Sequence, residues 1–592
     1  MHILGLSCYF HDAAAALLTD GRLIAAAEEE RFSRIKHDFG FPERAIRFCL
    51  ERGGIAGADL DYVAFFEKPF VKFERILQTA LATAPRSQAV FRKAMTTWML
   101  DKLWVKSRIR DIVGIAPDRI LFAEHHQSHA ASAFFCSPFD DAAILTVDGV
   151  GEWATATFGQ GRGTSLTVES EIRFPHSLGL LYSAFTAFLG FEVNEGEYKV
   201  MGMAPYGRPR FVEEVRQLID VSRDGSFALK LDYFDFQHST TRTFSDAFVK
   251  LFGAPRAPET LFFTEASGFP SYFGDRPADY DALAAANQRY ADLAASIQAV
   301  TEETLITMAR AACERAGTSK LCMAGGVALN SVANGRILRE AGVTDLFVQP
   351  AAGDSGAALG AALFAHHQVL GHPRGFVMEH ASWGQQHGMD AIRAAAAVSG
   401  FRAEECADED RMLDRAAALI ADGRVLGWQQ GRFEWGPRAL GHRSILADPR
   451  RADMKDLVNV KIKFREPYRP FAPSVVAERA DEYFDCQGAD RQYPSRFMLL
   501  VEPVRPAARS ILPATTHVDN SARLQTVHAA ASPLYHGLIS RVGQATGVPV
   551  VMNTSFNLRG EPIVNTPAEA ISTFARSGLD ALVMGTVILH KA

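Results

Sequence analysis

The chain has 592 residues, of which 48% are apolar and 22% are charged, and this balance excludes intrinsic disorder as its main state. A formal net charge of −6 argues against a dedicated nucleic-acid-binding protein, because such proteins normally carry a strongly basic face. No stretch approaches the roughly 20 uninterrupted apolar residues that a membrane span requires. At roughly 100–200 residues per domain, the length predicts at least three structural units.

The amino-terminal half predicts an alternation of strands and helices. The strands are predicted at 1–6, 13–19, 22–27, 120–122 and 143–147. Asp20-Gly21 joins the second and third strands as a hairpin turn. The helices are predicted at 42–52, at 125–135 and, as an inserted helical region, across 68–113.

Two later segments repeat one pattern, in which a strand ends in a glycine-rich loop that begins a helix. They lie at 321–330 and 345–365, and such loops bind phosphates with backbone N–H groups. Residues 209–277, which lie between the strand at 143–147 and the segment at 321–330, predict irregular surface structure. A domain boundary is predicted near 366–386, and the sequence shows no internal repeat.

The remainder predicts a compact carboxy-terminal unit. Its helices are predicted at 389–399 and 408–422, and its strands at 425–429, at 548–552 and, as one last strand, at 581–589.

The seven cysteines are scattered and include no CxxC pair, which indicates reduced thiols. The first 21 residues lack the basic start of a signal peptide, and His11 and Asp12 interrupt them. We therefore expect a cytoplasmic protein with no nucleic-acid or membrane partner. Its oligomeric state is left open.

A group of potential metal ligands is the first chemical signal. His125 and His129 share one face of the predicted helix, because residues four apart do so. This spacing alone is more typical of structural histidines. Asp148 and Asp354 strengthen the signal, since both follow buried strands, where a carboxylate needs a partner. Two histidines and two aspartates suit Fe²⁺, Mn²⁺ or Zn²⁺ without choosing among them.

Two basic segments are the second signal: GRFEWGPRALGHRS at 431–444 and KIKFREPYRPF at 461–471. Arginine binds phosphate oxygens in pairs, and glycine lets the backbone approach, so the pattern favours a phosphate or nucleotide site. Salt bridges to local acids are the alternative. Small polar residues in HVDNSARLQTV at 517–527 and MNTSFN at 552–557 add candidate ligand contacts, although turn capping explains them about as well.

Several long motifs, spread from residue 1 to about 589, resemble the O-carbamoyltransferases of the NodU/CmcH type. They are GLSCYFHDAAA, AAAEEERFSRIKH, EYKVMGMAPYG, AGGVALN, EWGPRALGHRS, FREPYRPFAP, HVDNSARLQTV and MNTSFN. The departures are mild: Asn520 and Ser521 stand where Gly and Thr are commoner, and Met203 stands where Leu is commoner.

The resemblance implies an α/β protein in two parts. Residues 1–380 are expected to form a Kae1-like domain of the actin/Hsp70 (ASKHA) fold, and residues 381–592 a YrdC-like α/β domain. The YrdC-like site would form carbamoyladenylate from carbamoyl phosphate and ATP with Mg²⁺. The Kae1-like site would pass the carbamoyl group to a hydroxyl of a small molecule, of antibiotic or nodulation-factor type. Fe²⁺ is the metal that the resemblance implies first, with Mn²⁺ or Zn²⁺ as alternatives.

The resemblance also implies roles for individual residues. The metal ligands are His125, His129, Asp148 and Asp354. His11 is the base, and Lys36 lies near the acceptor. Carbamoyladenylate is expected at Gly149, Gly179, Gly326 and Asn330, and ATP or carbamoyl phosphate at Arg438, Lys463, Arg469, Arg523, Asn553 and Asn557. An alcohol is a weak nucleophile, so a histidine base suits this chemistry.

Alternative functions remain open at this point. A tRNA threonylcarbamoyladenosine-type enzyme shares both domain types, but the acidic net charge disfavours it. An ASKHA-fold small-molecule kinase would release ADP, and a chaperone-like ATPase would ignore carbamoyl phosphate. A metalloprotease is disfavoured, because the HExxH glutamate is missing. The sequence does not identify the acceptor.

Overall fold

The computed structural model describes residues 1–100, 102–270, 273–463, 466, 468–486, 488 and 491–591. Three residues of the FREPYRPFAP motif, at 464, 465 and 467, lie outside this part. The chain forms two compact units. The first contains Met1–Glu29, Phe39–Phe269 and Asp275–Val377, and the second contains Glu30–Asp38, Pro270–Gly274 and Met378–Ala592.

Two five-stranded β-sheets organise the first unit, which also contains a two-stranded sheet in its described residues. The strands of the described chain here are β1 (His2–Ser7), β2 (Ala14–Thr19), β3 (Arg22–Glu28), β4 (Tyr62–Phe65), β5 (Ile120–Phe122), β6 (Asp141–Val147), β7 (Ala154–Arg162), β8 (Ser165–Arg173), β9 (Ile219–Val221), β10 (Phe227–Leu229), β11 (Lys320–Ala324) and β12 (Asp345–Val348). The predicted hairpin at Asp20-Gly21 is confirmed, because β2 and β3 pair in antiparallel fashion across it.

The two sheets have the same topology. The first has the order β3-β2-β1-β4-β5 and the second the order β12-β11-β6-β7-β8. In chain order, the first three strands of each sheet form antiparallel pairs. The fourth strand pairs in parallel with the first, and the fifth pairs in parallel with the fourth. This duplication is the topology of the ASKHA fold. The sequence shows no repeat, because only the order of the elements is duplicated.

Helices pack around these sheets. Those up to residue 377 are α1 (Glu30–Ser33, which groups with the second unit), α2 (Glu43–Gly53), α3 (Pro69–Ala82), α4 (Gln88–Leu100), α5 (Val105–Val113), α6 (His125–Phe134), α7 (Leu178–Phe188), α8 (Glu197–Met203), α9 (Val212–Arg216), α10 (Asp246–Phe252), α11 (Tyr280–Ala316), α12 (Ser331–Glu340) and α13 (Asp354–Leu363). The inserted helical region is confirmed as α3, α4 and α5. In the described chain, no helix has the length and apolarity needed to cross a bilayer.

Glycines in α13 and β1 allow unusually close contacts. A Cβ at Gly360 would lie 1.8 Å from the Ser128 carbonyl oxygen of α6, and one at Gly5 would lie 1.9 Å from the Ala358 carbonyl oxygen. Both distances are far below van der Waals contact, so only glycine fits. The result is that α13 lies directly against α6 and β1.

The prediction of irregular surface structure at 209–277 was partly wrong. The segment contains α9, β9, β10 and α10, and its aromatic side chains enter the core. Phe248 of α10 packs at 5.0 Å (ring centroids) against Phe185 and at 5.2 Å against Phe188 of α7. These partners are distant in sequence, so local pattern gave no sign of the burial.

A single large sheet forms the centre of the second unit. Within the described residues its strands are β13 (Arg402–Glu405), β14 (Leu426–Gln429), β15 (Arg443–Ala447), β16 (Ala472–Val476), β17 (Leu500–Pro503), β18 (Ser521–Val527), β19 (Val550–Ser555), β20 (Ala581–Met584) and β21 (Val587–His590). Their order is β13-β21-β20-β14-β15-β19-β16-β18-β17. The predicted last strand is two strands, because Gly585, at a φ of 53°, reverses the chain between β20 and β21.

Helices cover this sheet over apolar cores. They are α14 (Met389–Ala397), α15 (Glu409–Ala421), α16 (Met454–Val458), α17 (Ala480–Tyr483), α18 (Tyr493–Arg496), α19 (Pro506–Arg509), α20 (Pro533–Thr546) and α21 (Pro567–Arg576). One cluster centres on Phe556 and Phe574, and another on Trp428 and Tyr535.

Candidate functional site

Two histidines and two aspartates meet inside the first unit. His125 and His129 lie one turn apart on α6, Asp148 follows β6, and Asp354 begins α13. All four are buried, and one potential ligand atom from each lies within 4.8 Å of the other three. The close approach of α13 to α6 at Gly360 brings Asp354 to the two histidines.

The donor atoms in this cluster fit a divalent metal ion. His125 Nε2 lies 2.9 Å from Asp148 Oδ2 and 3.0 Å from His129 Nε2, and His129 Nε2 lies 3.4 Å from Asp354 Oδ1. Both oxygens of Asp354 are buried without a hydrogen-bond partner among the described residues. A buried carboxylate in that state is costly unless a cation holds it. Two nitrogens and two oxygens suit Fe²⁺, Mn²⁺ or Zn²⁺.

The charges of the cluster depend on one another. Burial alone would raise the pKa of Asp148, but hydrogen bonds from His125 and His129 hold it well below its usual range. Burial alone would lower the pKa of His129, but Asp148 and Asp354 raise it to about 9. Metal binding here therefore displaces a proton from an imidazole.

Backbone contacts fix the orientation of these side chains. The Gly326 N–H donates to Asp148 Oδ1 at 2.9 Å, which leaves Oδ2 facing His125. The buried Glu152 accepts the backbone N–H of His125 at 3.0 Å and that of Lys68 at 2.7 Å. Sequence reasoning missed Glu152, although an acid in the DGVGE loop after a buried strand was a usable signal.

His126 has a structural role. Its Nδ1 lies 2.6 Å from Thr146 Oγ1, and its Nε2 lies 2.9 Å from the Ala154 carbonyl oxygen. Burial lowers its pKa well below the usual value, so the ring is neutral. It therefore anchors α6 to β6 and β7 while its neighbours face the cluster.

His11 lies beside the metal-ligand cluster, in the loop after β1. Its Nε2 is 3.9 Å from Asp354 Oδ2, and its Nδ1 is 3.0 Å from Asp12 Oδ2. Burial alone would lower its pKa, but Asp354 and Asp12 raise it to about 10. The half-buried Lys36, which was also expected near the acceptor, lies in the segment Glu30–Asp38 that groups with the second unit.

The residues expected to bind carbamoyladenylate have different surroundings. A Cβ at Gly149 would meet nothing within 4 Å, whereas one at Gly179 would lie 2.7 Å from the Asp148 carbonyl oxygen. The Gly326 amide already bonds Asp148. Asn330 caps α12 through the Ala333 N–H and bonds Gln298, which accepts from the Tyr182 hydroxyl at 2.7 Å. Among these four residues, the open space at Gly149 is therefore the clearest indication of a place for a ligand.

In the second unit, Lys463 and Asn557 contact each other directly. Lys463 Nζ donates to Asn557 Oδ1 at 2.8 Å and to Ser555 Oγ at 3.2 Å. Asn553 lies deeper, where its amide donates to Gln525 Oε1 at 3.0 Å and to the Ala439 carbonyl oxygen at 3.2 Å. The Asn553 contacts connect β19 and β18 to the loop that carries Arg438.

A glutamate organises that loop. Glu434 Oε1 accepts the backbone N–H groups of Leu440 at 2.7 Å and His442 at 2.8 Å, and it is buried. These bonds fold residues 434–442 around one carboxylate and leave the Arg438 side chain half-buried. Sequence reasoning treated Glu434 only as a local acid.

Several arginines in or between the two basic segments have structural contacts. Arg443 is fully buried and donates to the Gln430 carbonyl oxygen at 2.9 Å. Arg450 pairs with Asp448 at 2.7 Å and Arg451 with Asp453 at 2.6 Å. Arg450 and Arg451 thus make salt bridges to local acids, whereas Arg443 bonds backbone carbonyl groups.

The predicted ligand residues Arg469 and Arg523 are placed differently. Both are half-buried, and Arg469 lies 3.7 Å from Glu466 in a long ion pair. Arg523 stands on β18, two residues before Gln525.

Comparison with known proteins matches nearly the whole chain. Residues 2–363 match the carbamoyltransferase N-terminus family, and residues 417–591 match the carbamoyltransferase C-terminus family. An uncharacterized Synechocystis protein, sll1178, is 45% identical over 100% of this chain and 97% of its own length. The nodulation protein NolNO of Sinorhizobium fredii is 38% identical over 98% of this chain and 79% of its own length. A 3'-hydroxymethylcephem-O-carbamoyltransferase of Amycolatopsis lactamdurans is 34% identical over 46% of this chain and 49% of its own length.

Proposed function

The chain belongs to the carbamoyltransferase family, and we propose that it is an ATP-dependent O-carbamoyltransferase that acts on a hydroxylated small molecule. The observation that carries the proposal is the convergence of His125, His129, Asp148 and Asp354 next to His11. The relatives NolNO and the cephem O-carbamoyltransferase support a small-molecule acceptor, of the nodulation-factor or antibiotic type.

The first half-reaction joins carbamoyl phosphate and ATP. One water is consumed, orthophosphate leaves from carbamoyl phosphate, and pyrophosphate leaves from ATP. The carbamoyl oxygen becomes bonded to the α-phosphate, which gives carbamoyladenylate. Both substrates are polyanions, so their encounter requires cations, and Arg438, Lys463, Arg469 and Arg523 supply them. We assign this step to residues 381–592.

The second half-reaction transfers the carbamoyl group to the acceptor, and we assign it to residues 1–380. The acceptor oxygen attacks the carbamoyl carbon, AMP leaves, and His11 takes the hydroxyl proton. Lys36 remains a proposed contact of the acceptor. Gly149, with open space above its Cα, is the proposed approach point for carbamoyladenylate, and Gly179, Gly326 and Asn330 shape the surrounding loops.

When bound by His125, His129, Asp148 and Asp354, a divalent ion would supply Lewis acidity at the carbamoyl carbonyl or adenylate phosphate, and its charge would offset that of Asp354 beside His11. The family resemblance points to Fe²⁺, and metal analysis distinguishes it from Mn²⁺ and Zn²⁺. None of the seven cysteines, all of which lie in the described part of the chain, forms a disulfide bond, and this supports the cytoplasmic location that we propose.

The test is a product screen. The purified protein is incubated with ATP, Mg²⁺, ¹³C-labelled carbamoyl phosphate and a panel of hydroxylated small molecules. Mass spectrometry should find one acceptor that carries the labelled carbamoyl group. A phosphorylated acceptor would show a kinase instead.

A further inference from the structure

Near the proposed transfer site lies a buried arginine that has no hydrogen-bond or ion-pair partner among the described residues. Arg75 lies on α3, and 8% of it is exposed. Within the described residues it makes no hydrogen bond or ion pair, and its Nε is buried without an acceptor. The Arg75 guanidinium makes a cation–π contact with the Phe174 ring, whose centroid lies 5.0 Å from Cζ. A buried, unpaired guanidinium is costly, so a purely structural role does not explain it.

The nearby carboxylates already have other partners. Glu67 pairs with Lys72 Nζ at 2.5 Å and with Lys102 Nζ at 3.2 Å. Glu152 accepts backbone N–H groups at the start of α3 and α6. Burial lowers the pKa of Arg75 to about 10, against the attraction of Glu67 and Glu152, so the side chain stays charged at neutral pH.

The charges of this group do not balance. Lys72, Lys102 and Arg75 are three buried cations, and Glu67 and Glu152 are two buried carboxylates. Arg75 is the cation left over, which leaves a positive charge available to a ligand. A guanidinium binds carboxylate, phosphate or sulfate oxygens in pairs.

The cationic group adjoins the proposed base. Lys72 Nζ lies 4.7 Å from the centroid of the Phe10 ring, and that ring lies 4.9 Å from the ring of His11. Phe10 is 38% exposed, so an apolar surface is open between the cations and His11. A molecule whose hydroxyl reaches His11 therefore has an aromatic surface and a buried cation within a short distance.

We propose that Arg75 binds an anionic group of the carbamoyl acceptor, namely a carboxylate, phosphate or sulfate; this rests on the proposed function. The adenylate phosphate is the other possible anion. The position of Arg75 favours the acceptor. Arg75 belongs to the helices inserted between β4 and β5 of the first sheet, whereas Gly149 and Gly326 follow β6 and β11 of the second.

The first experiment measures anion binding in the full chain, without any carbamoyl chemistry. Thermal unfolding is followed during titration with inorganic sulfate for the wild type, Arg75→Gln, Arg75→Lys and the exposed control Arg86→Gln. We expect a saturable rise in Tm that is smaller in Arg75→Gln, where only the phosphate site proposed for residues 381–592 still responds, and that the other two variants retain in full. Without sulfate, Arg75→Gln should be at least as stable as the wild type, because an unpaired buried charge is gone. An unchanged sulfate response in Arg75→Gln would overturn the anion site.

The second experiment separates the two sources of anion. Hydroxy acids that the enzyme carbamoylates are compared with their uncharged carboxamides. Arg75→Gln should reduce kcat/KM for the acid by roughly tenfold or more, since a charge-assisted contact is lost, and change it little for the carboxamide. Equal losses for both would assign Arg75 to the adenylate or to the fold and overturn the acceptor role. If the wild type makes no carbamate at all, the proposed function fails, and the acceptor role with it, while the sulfate titration still decides the anion site.

Discussion

The Nε2 atoms of His125 and His129 lie 3.0 Å apart, one helical turn from each other on α6. Two imidazole nitrogens face each other at this distance either around a shared proton or around a shared cation. Asp148 and Asp354 surround the same point, so the negative charge needed to hold a cation is present. This pair of nitrogens therefore lies within the proposed metal site.

Removing one ligand should remove the metal. His125→Ala and Asp354→Ala should bind less than a tenth of the wild-type metal by mass spectrometry, a loss of about 1.4 kcal/mol or more in binding free energy. The matched control is His126→Asn on the same helix, which should keep the metal and unfold about 1–3 kcal/mol more easily, because its bonds to Thr146 and Ala154 are lost. Full metal occupancy in His125→Ala would refute the ligand assignment.

Glu152 should act on the metal through His125. Glu152→Gln replaces a carboxylate that accepts the His125 and Lys68 N–H groups, and the amide can satisfy only part of this role. We expect a decrease in metal affinity of about 10-fold or more, the usual effect of altering a group that orients a ligand. Competition with a chromophoric chelator measures it. Glu169→Gln, an exposed acid on β8, is the control, and equal affinities in both variants would show that Glu152 only stabilises the loop.

The two half-reactions should be separable by mutation. Arg469→Ala or Arg523→Ala should slow formation of carbamoyladenylate by about 10- to 100-fold, because one charge-assisted phosphate contact is lost. Transfer from supplied carbamoyladenylate should be unaffected. Arg451→Ala is the control, since this exposed arginine pairs with Asp453.

His11→Asn should show the opposite pattern, with carbamoyladenylate made but not used. Release of pyrophosphate from ATP measures the first half-reaction. The amount of carbamoylated acceptor formed from supplied carbamoyladenylate measures the second. Loss of the same half-reaction in the arginine and histidine variants would mean that the chain has one active site.

Acid should weaken the buried ion pairs that Glu67 makes with Lys72 and Lys102. Burial alone would raise the pKa of Glu67, but Lys72 and Lys102 hold it at about 2. A carboxyl whose pKa is depressed stabilises the folded state fully above pH 4.5, and this stabilisation is lost as the pH falls toward 2. The shift corresponds to about 3 kcal/mol.

Glu67→Gln should therefore be less stable than the wild type at pH 7, by about 3–5 kcal/mol, because two buried lysines lose their partner. Below pH 4 the difference should shrink. Unfolding by urea at a series of pH values measures it, with the exposed Glu74→Gln on the same helix as control. A constant difference across the series would show that Glu67 does not titrate in this window.

The sequence predicted those features that depend on local pattern. Helical spacing placed His125 and His129 on one face, the positions of Asp148 and Asp354 after strands added to the signal, and the family resemblance combined the four as metal ligands. Asp20-Gly21 likewise sufficed for the hairpin. The amino-terminal alternation of strands and helices followed for the same reason, since each element carries its own periodicity.

Features that depend on distant partners could not be predicted. Arg443 and Arg469 belong to similar basic segments, yet Arg443 is fully buried on backbone carbonyls and Arg469 is half-buried. Arg75 makes no ion pair with Glu67 because Glu67 pairs with Lys72 and Lys102, and Lys102 is distant in sequence. The duplicated sheet topology left no trace in the sequence, because backbone order can repeat while side chains diverge.

The proposed carbamoyladenylate route is tested most directly by following phosphorus through one turnover. ³¹P NMR of the enzyme with ATP, carbamoyl phosphate and an acceptor that the enzyme carbamoylates should show AMP, pyrophosphate and orthophosphate formed in equal amounts, with no phosphorus in the acceptor product. ADP in place of AMP and pyrophosphate, or the γ-phosphate of ATP appearing on the acceptor, would contradict a carbamoyladenylate route.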